Sequence, residues 1–224
     1  MKRAVTSTPV EIAGPAGRIE AALDDTGGAP AAVAVICHPH PLQLGTMQNK
    51  VVTTLARTFA NLGAIAVRFN FRGVGASAGS YTHGEGERDD VLAVMDWSRA
   101  RWPGLRVYLG GFSFGAAMAL GVAARAAPTG LVTVAPPVER LPADFEPPRC
   151  RWLLVHGSAD DVVAAAPVIE WANALAAPPR VVLVDGVGHY FHGHLNVLGN
   201  AVTEFFGADF GLKAQLAGPP CSAS

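Results

Sequence analysis

Six short apolar runs recur along the chain, and between them lie longer stretches in which apolar residues return every three or four positions. The runs cover residues 31–37 (AAVAVIC), 64–71 (AIAVRFNF), 106–111 (RVYLGG), 130–135 (GLVTVA), 151–157 (RWLLVHG) and 180–186 (RVVLVDG). Most are continuous rather than alternating, which is the pattern of strands buried on both faces. The intervening stretches at 47–63, 86–102, 114–126, 165–176 and 195–206 have helical period, and Gly63 and Pro103 stand where two of these helices should stop. Strand and helix in alternation predict an α/β fold, a mostly parallel twisted sheet with helices on both faces.

Ahead of residue 31, two short alternating runs meet around Gly14, Pro15 and Gly17, which predicts an antiparallel hairpin at the sheet edge. The proline-rich segment 135–149 reads as a loop with no room for an inserted cap domain. The chain has no internal repeat, and residues 1–210 read as one domain followed by a tail, 211–224, expected to be disordered.

Composition narrows the function classes. The 224 residues are half apolar and 16% charged, with a formal net charge of -1. That suits a globule with a large core, and it lacks the concentrated basic surface that nucleic acid or an anionic membrane would require. Cys37, Cys150 and Cys221 form neither an even set nor a C-x-x-C pair, so a disulfide framework is not expected and a reducing compartment fits. The N-terminal stretch MKRAVTSTPVEIAG has no apolar core behind its basic residues, and the run at 31–37 is far below spanning length. A cytoplasmic location is the expectation.

Candidate chemistry enters at Gly111-Phe112-Ser113-Phe114-Gly115, a G-x-S-x-G pattern set where the run at 106–111 turns directly into the helical stretch at 114–126. On such an elbow the serine adopts a strained backbone, and its glycine neighbours two residues away avoid clashes a side chain would cause. The first amides of the following helix, Phe114 N–H foremost, then point at anything bonded to the serine oxygen. A serine hydroxyl is a poor nucleophile without a base, so the pattern demands a histidine held by an acid later in the chain. Asp160 and Asp161 follow the run at 151–157, and His189 follows the run at 180–186. Asp185 is a weaker candidate acid, and His192 and His194 compete with His189 from the start of the last helical stretch. Ser113, Asp160 and His189 each fall at the carboxyl end of a strand, the edge where open parallel sheets put their sites.

The ordered set CHPHPLQLGTMQNKVV, RFNFRGVGASAGSYTHGEGERDDVLAVMDW, GGFSFGA, VHGSADDVV and VGHYFHG resembles the compact, cap-less bacterial α/β-hydrolases related to dienelactone hydrolase, over nearly all of residues 10–207. The resemblance implies the α/β-hydrolase fold without a cap, Ser113 as nucleophile, Asp160 as acid and His189 as base. Dienelactone hydrolase itself uses cysteine, so Ser113 implies serine-esterase chemistry instead. Two positions depart from the family pattern. Leu44-Gly45 stands where a glycine pair is usual, and Ser158 stands where an acidic residue is frequent.

A second oxyanion donor is expected from the segment HPHPLQLG. Pro39 and Pro41 have no N–H to give, which leaves the amides of His40 and Leu42, with His40 preferred. The side chains of His38 and His40 read as structural. Leu42, Leu44, Met47 and Phe112 are expected to line the substrate pocket beside Phe114, and without a cap that pocket should be open and suited to small or short-chain acyl esters. No metal or organic cofactor is required. The pairs His38-x-His40 and His192-x-His194 lack a third-ligand pattern, and the glycines of RGVGASAG are spaced wrongly for a dinucleotide loop. The expected activity is ester hydrolysis through an acyl-enzyme on a small-molecule substrate. The alternatives are a thioesterase or another acyl hydrolase using the same groups, or a non-catalytic binding protein on the same fold.

Overall fold

A computed structural model describes residues 4–212. The expected tail falls almost wholly outside these residues, as does Cys221. Among the described residues, strands β1 (Thr6–Gly14), β2 (Gly17–Asp25), β3 (Ala32–Cys37), β4 (Ala64–Phe69), β5 (Arg106–Phe112), β6 (Gly130–Val134), β7 (Arg151–Gly157) and β8 (Arg180–Val184) form one sheet in the order β1-β2-β4-β3-β5-β6-β7-β8. From β4 to β8 every pair is parallel; β1 and β2 pair antiparallel with each other, and β2 antiparallel with β4. This is the α/β-hydrolase fold, and the hairpin turns at residues 15 and 16, between the glycines that marked it.

Among the described residues five α-helices cover the sheet: α1 (Lys50–Leu62), α2 (Glu85–Arg101), α3 (Phe114–Ala126), α4 (Ala165–Asn173) and α5 (Leu195–Phe206). Because successive strand residues point to opposite faces, β3 alone supplies both cores. Ala32, Ala34 and Ile36 pack with Leu55 and Phe59 of α1 and with Val202 and Phe206 of α5. Val33, Val35 and Cys37 pack with Val94 and Met95 of α2, Met118 and Leu120 of α3, and Val168 and Ala172 of α4. Burial of the Cys37 thiol in that second core pushes its pKa far up, so it is an inert apolar side chain.

Departures from the sequence reading have local causes. Helix α1 starts three residues late because Asn49 caps it, its side-chain oxygen accepting from Val51 N–H at 2.9 Å. Strand β8 is half exposed, with Leu183 at 50%, because it closes the sheet as its outer edge. Between β6 and β7 the described residues form only a short 3-10 turn at Val138–Arg140, with no inserted cap domain among them. The strand order also fixes where a site should form. From β3 the chain goes one way to β4 and then back across to β5, so the loops after β3 and β5 diverge and leave a crevice between them.

Candidate active site

Ser113 stands in that crevice, at the junction of β5 and α3, with φ 53° and ψ -122°. A non-glycine residue pays for such a backbone with strain and keeps it only when its surroundings enforce it. Here Ser113 N–H donates to Val134 O at 2.8 Å, and Ser113 O accepts from the amides of Ala116 and Ala117 at 2.9 and 3.1 Å. The two flanking glycines clear the space. A Cβ on Gly111 would strike the Gly115 carbonyl, and one on Gly115 would strike the carbonyl oxygens of Cys37 and His38. The second collision shows how closely the first turn of α3 rides on the end of β3. Phe114, the first residue of α3, has no intrahelical acceptor for its N–H.

The candidate acid and base arrive from the next strands. Gly157, at the end of β7, carries no side chain because a Cβ there would strike Val187 O. That close approach lets Ser158 N–H and Ala159 N–H donate to Val184 O and Val187 O at 2.9 and 3.0 Å, binding the two loops together. Asp160 lies with its carboxylate fully buried: one oxygen accepts from Val162 N–H and Val163 N–H at 2.9 and 2.8 Å, and the other from His189 Nδ1–H at 2.7 Å. A carboxylate can only accept there, so the His189 proton is on Nδ1 and Nε2 keeps its lone pair. Ser113 Oγ–H donates to that lone pair at 3.0 Å. The ring is 3% exposed and tilts against Phe112 at 4.9 Å between centroids.

The competing residues lie elsewhere. Asp161, Asp185, His192 and His194 are all exposed; Asp185 accepts from Ser158 Oγ–H at 3.0 Å, and His194 Nδ1–H donates to His192 O at 2.9 Å. Two residues that sequence reasoning passed over support the acid and base. Phe191, fully buried at φ 53°, anchors the loop that carries His189. His156 lies buried beneath Asp160, its Nε2–H donating to Val163 O at 2.9 Å with the Asp160 carboxylate 3.4 Å away. Its Nδ1 has no partner, and burial holds its pKa below the ordinary imidazole value. His156 stands four residues before Asp160, a spacing that by itself singles out nothing in the chain.

On the other side of Ser113, the loop after β3 holds His38, His40, Leu42 and Leu44. His38 is fully buried and both ring nitrogens are engaged: Nε2 accepts from Phe71 N–H at 3.0 Å, and Nδ1–H donates to Pro39 O at 2.6 Å. Burial lowers its pKa to about 4, so it is neutral and structural, as expected. Leu42 and Leu44 are 70% and 96% exposed. The expected pocket lining divides at this point. Phe112 is wholly buried behind His189, and Met47 lines a separate hollow of about 560 Å³ with Ser7, Pro9, Glu20 and Gln48 at the hairpin edge. Met47 is drawn there because Asn70 Oδ1 accepts its N–H at 2.8 Å and its carbonyl accepts from Arg68, itself paired with buried Asp24.

A family model described as serine aminopeptidase, S33, matches residues 28–151. Over 95% of its length the chain is 40% identical to a lid-less α/β serine hydrolase of known structure from Xanthomonas campestris, XC6422, of which it covers 97% with a TM-score of 0.84. An α/β serine hydrolase homologue from Coxiella burnetii gives 41% identity and a TM-score of 0.82, over 86% of this chain and 94% of that one. An uncharacterized protein of Rickettsia prowazekii, RP471, is 32% identical over 203 residues, which is 86% of this chain and 85% of its own. At 20% identity and a TM-score of 0.76, over 90% and 92% of the two chains, an esterase from Pyrococcus furiosus shares the fold.

Proposed function

The chain belongs to the serine aminopeptidase S33 family of α/β hydrolases, and from that premise we propose that it is a carboxylester hydrolase acting on small or short-chain acyl esters. The observation that carries the proposal is the unbroken hydrogen-bonded line from Ser113 Oγ through His189 to Asp160, at 3.0 and 2.7 Å, buried at the mouth of the crevice. In this reading His189 Nε2 takes the Ser113 proton as Oγ attacks the ester carbonyl carbon. Asp160 holds the ring in the one tautomer able to accept that proton and stabilises the imidazolium that forms. The negative charge that develops on the carbonyl oxygen is met by the Phe114 amide and by the His40 amide.

The collapse of the tetrahedral intermediate breaks the C–O bond, and the leaving alcohol takes its proton from His189 Nε2. Water then enters, loses a proton to His189 and attacks the acyl-enzyme, releasing the acid and restoring Ser113. The short connection between β6 and β7 supports a small, open acyl site, because no cap domain is inserted there to enclose a long chain. No cofactor has a step to perform. The same groups could transfer acyl chains from thioesters, which is the alternative reading on this site.

The test is a substrate series run beside Ser113→Ala. Hydrolysis of p-nitrophenyl acetate and butyrate should exceed that of the dodecanoate, and Ser113 should be labelled by a fluorophosphonate. Ser113→Ala should lose the label and on the order of 10⁴-fold or more in kcat. Faster cleavage of aminoacyl p-nitroanilides than of esters would instead make the enzyme a peptidase, and label retained in Ser113→Ala would remove the serine from the mechanism.

A further inference from the structure

The loop after β3 contains a second histidine with both ring nitrogens engaged, in the opposite tautomer to His189. Leu42 N–H donates to His40 Nδ1 at 3.2 Å. A main-chain N–H has only a proton to offer, so Nδ1 presents its lone pair. The proton of a neutral ring is then on Nε2, which lies 3.1 Å from Tyr81 Oη and donates to it. Both rings pack on Phe114, His40 at 5.1 Å and Tyr81 at 5.9 Å between centroids. The side chain that follows the nucleophile is thereby held by the same pair.

We infer that the His40 imidazole is a positioning residue that prepares the oxyanion site, by withdrawing the Leu42 amide and holding the turn so that the His40 amide stays free to donate. The inference rests on the proposed ester hydrolysis. The main-chain pattern carries it. The His40 carbonyl accepts from Gln43 N–H and Gly45 N–H at 3.0 and 3.1 Å, and the ring accepts from Leu42 N–H, so carbonyl and side chain are both tethered. The His40 N–H has no acceptor among the described residues, and Pro39 and Pro41 on either side have no N–H at all. Gly45 lets the turn close this tightly, since a Cβ there would strike the carbonyls of Pro39 and His40.

The second anchor, Tyr81, is fixed from below. Buried Glu87 accepts from Thr82 N–H at 2.9 Å, Thr82 Oγ–H at 3.1 Å and Gly84 N–H at 2.7 Å, locking the residues that follow Tyr81 onto the start of α2. The charged and titratable groups that act on the ring are Arg140, His83 and Glu87. Burial first, then Arg140 and His83, hold the His40 pKa below the ordinary imidazole value, and Glu87 opposes them. The ring is therefore neutral near pH 7, with its Nδ1 lone pair free to hold Leu42.

Removing the ring frees the Leu42 amide and loosens the turn, so the oxyanion donor is misplaced while substrate contacts are not. With p-nitrophenyl butyrate, His40→Ala should lower kcat by about 30-fold with KM within about 3-fold, since a misplaced donor is felt in the transition state. His40→Asn should recover most of that loss, because its Oδ1 can accept from the amide two residues on. Tyr81→Phe should lower kcat by about 5-fold by removing the acceptor of Nε2–H and so the ring's second anchor. The rate of fluorophosphonate labelling at Ser113 should follow kcat in each variant. A wild-type protein that takes no label and cleaves no ester would sink the proposed function. A labelled, active wild type with His40→Ala within 2-fold of its kcat, or with Asn no better than Ala at equal melting temperature, would sink this inference alone. Should His40→Ala fail to fold, an unchanged kcat in folded Tyr81→Phe overturns it.

Discussion

The loops after β7 and β8 and the loop after β3 face each other across Ser113, and they hold their functional groups by different means. On the first side the groups are side chains, a carboxylate and an imidazole, joined by bonds of 2.7 and 3.0 Å and shielded from water. On the second side the group we propose is a main-chain amide, with side chains around it: His38 and His40 have their rings bonded into the backbone, while Leu42 and Leu44 stand exposed. A side chain that does chemistry must be one of a few residue types. An amide can belong to almost any residue, so its placement depends on turns, prolines and glycines around it.

The largest expected effect tests the first side. Asp160→Asn should lower kcat by about 10⁴-fold, because an amide can hold His189 in the wrong tautomer, whereas exposed Asp161→Asn should stay within about 2-fold of the wild type. Equal losses in the two variants, measured as kcat on p-nitrophenyl acetate, would mean that the hydrogen-bonded line is not the working one.

A smaller effect probes the foundation of the second side. His38 has its pKa lowered to about 4 in the fold, against 6.5 for the free ring. Between those values the unfolded chain binds a proton that the folded chain does not, so stability falls as pH drops from 6.5 to 4 and is flat for this residue above 6.5. Urea melts should show a loss of about 3 kcal/mol attributable to it, and a folded His38→Gln variant should have a shallower slope over that window. An unchanged slope would mean that His38 is not the buried neutral base its two hydrogen bonds describe.

The smallest effect concerns the rim. Leu44 sits at φ 59° and ψ 20°, where a branched side chain costs about 1–2 kcal/mol and glycine costs none. Against that, glycine loses about 0.5–1 kcal/mol of unfolded-state entropy. Leu44→Gly should therefore raise stability by about 0.5 kcal/mol in the same melts, with kcat unchanged. A fall in kcat would give Leu44 a part in the site that its exposure does not suggest.

Much of the first side was legible before any coordinates. The apolar runs marked the strands to within two residues, and the G-x-S-x-G pattern with a later Asp and His marked the three side chains in order. What escaped notice is physically of one kind. His156 and Phe191 support Asp160 and His189 through burial and backbone geometry, which leave no spacing rule in the chain. Tyr81 meets His40 across 41 positions, through a loop whose shape depends on buried Glu87. Met47 belongs to the hairpin hollow because Asn70 and Arg68 hold its backbone there, ahead of the Asn49 cap at which α1 begins. Phe112 reads as a pocket residue because it flanks the serine, yet strand alternation turns it inward behind His189.

The elbow at Ser113 has one more implication, for how this chain can change. Its backbone, at φ 53°, is held in a region that costs on the order of 1–3 kcal/mol, and the surrounding carbonyls and glycines exist to enforce it. Selection for a sturdier molecule and selection for an active one therefore pull in opposite directions at this residue. A lineage released from the need for catalysis would drift first toward glycine at position 113, gaining robustness at the spot where it gave up its chemistry.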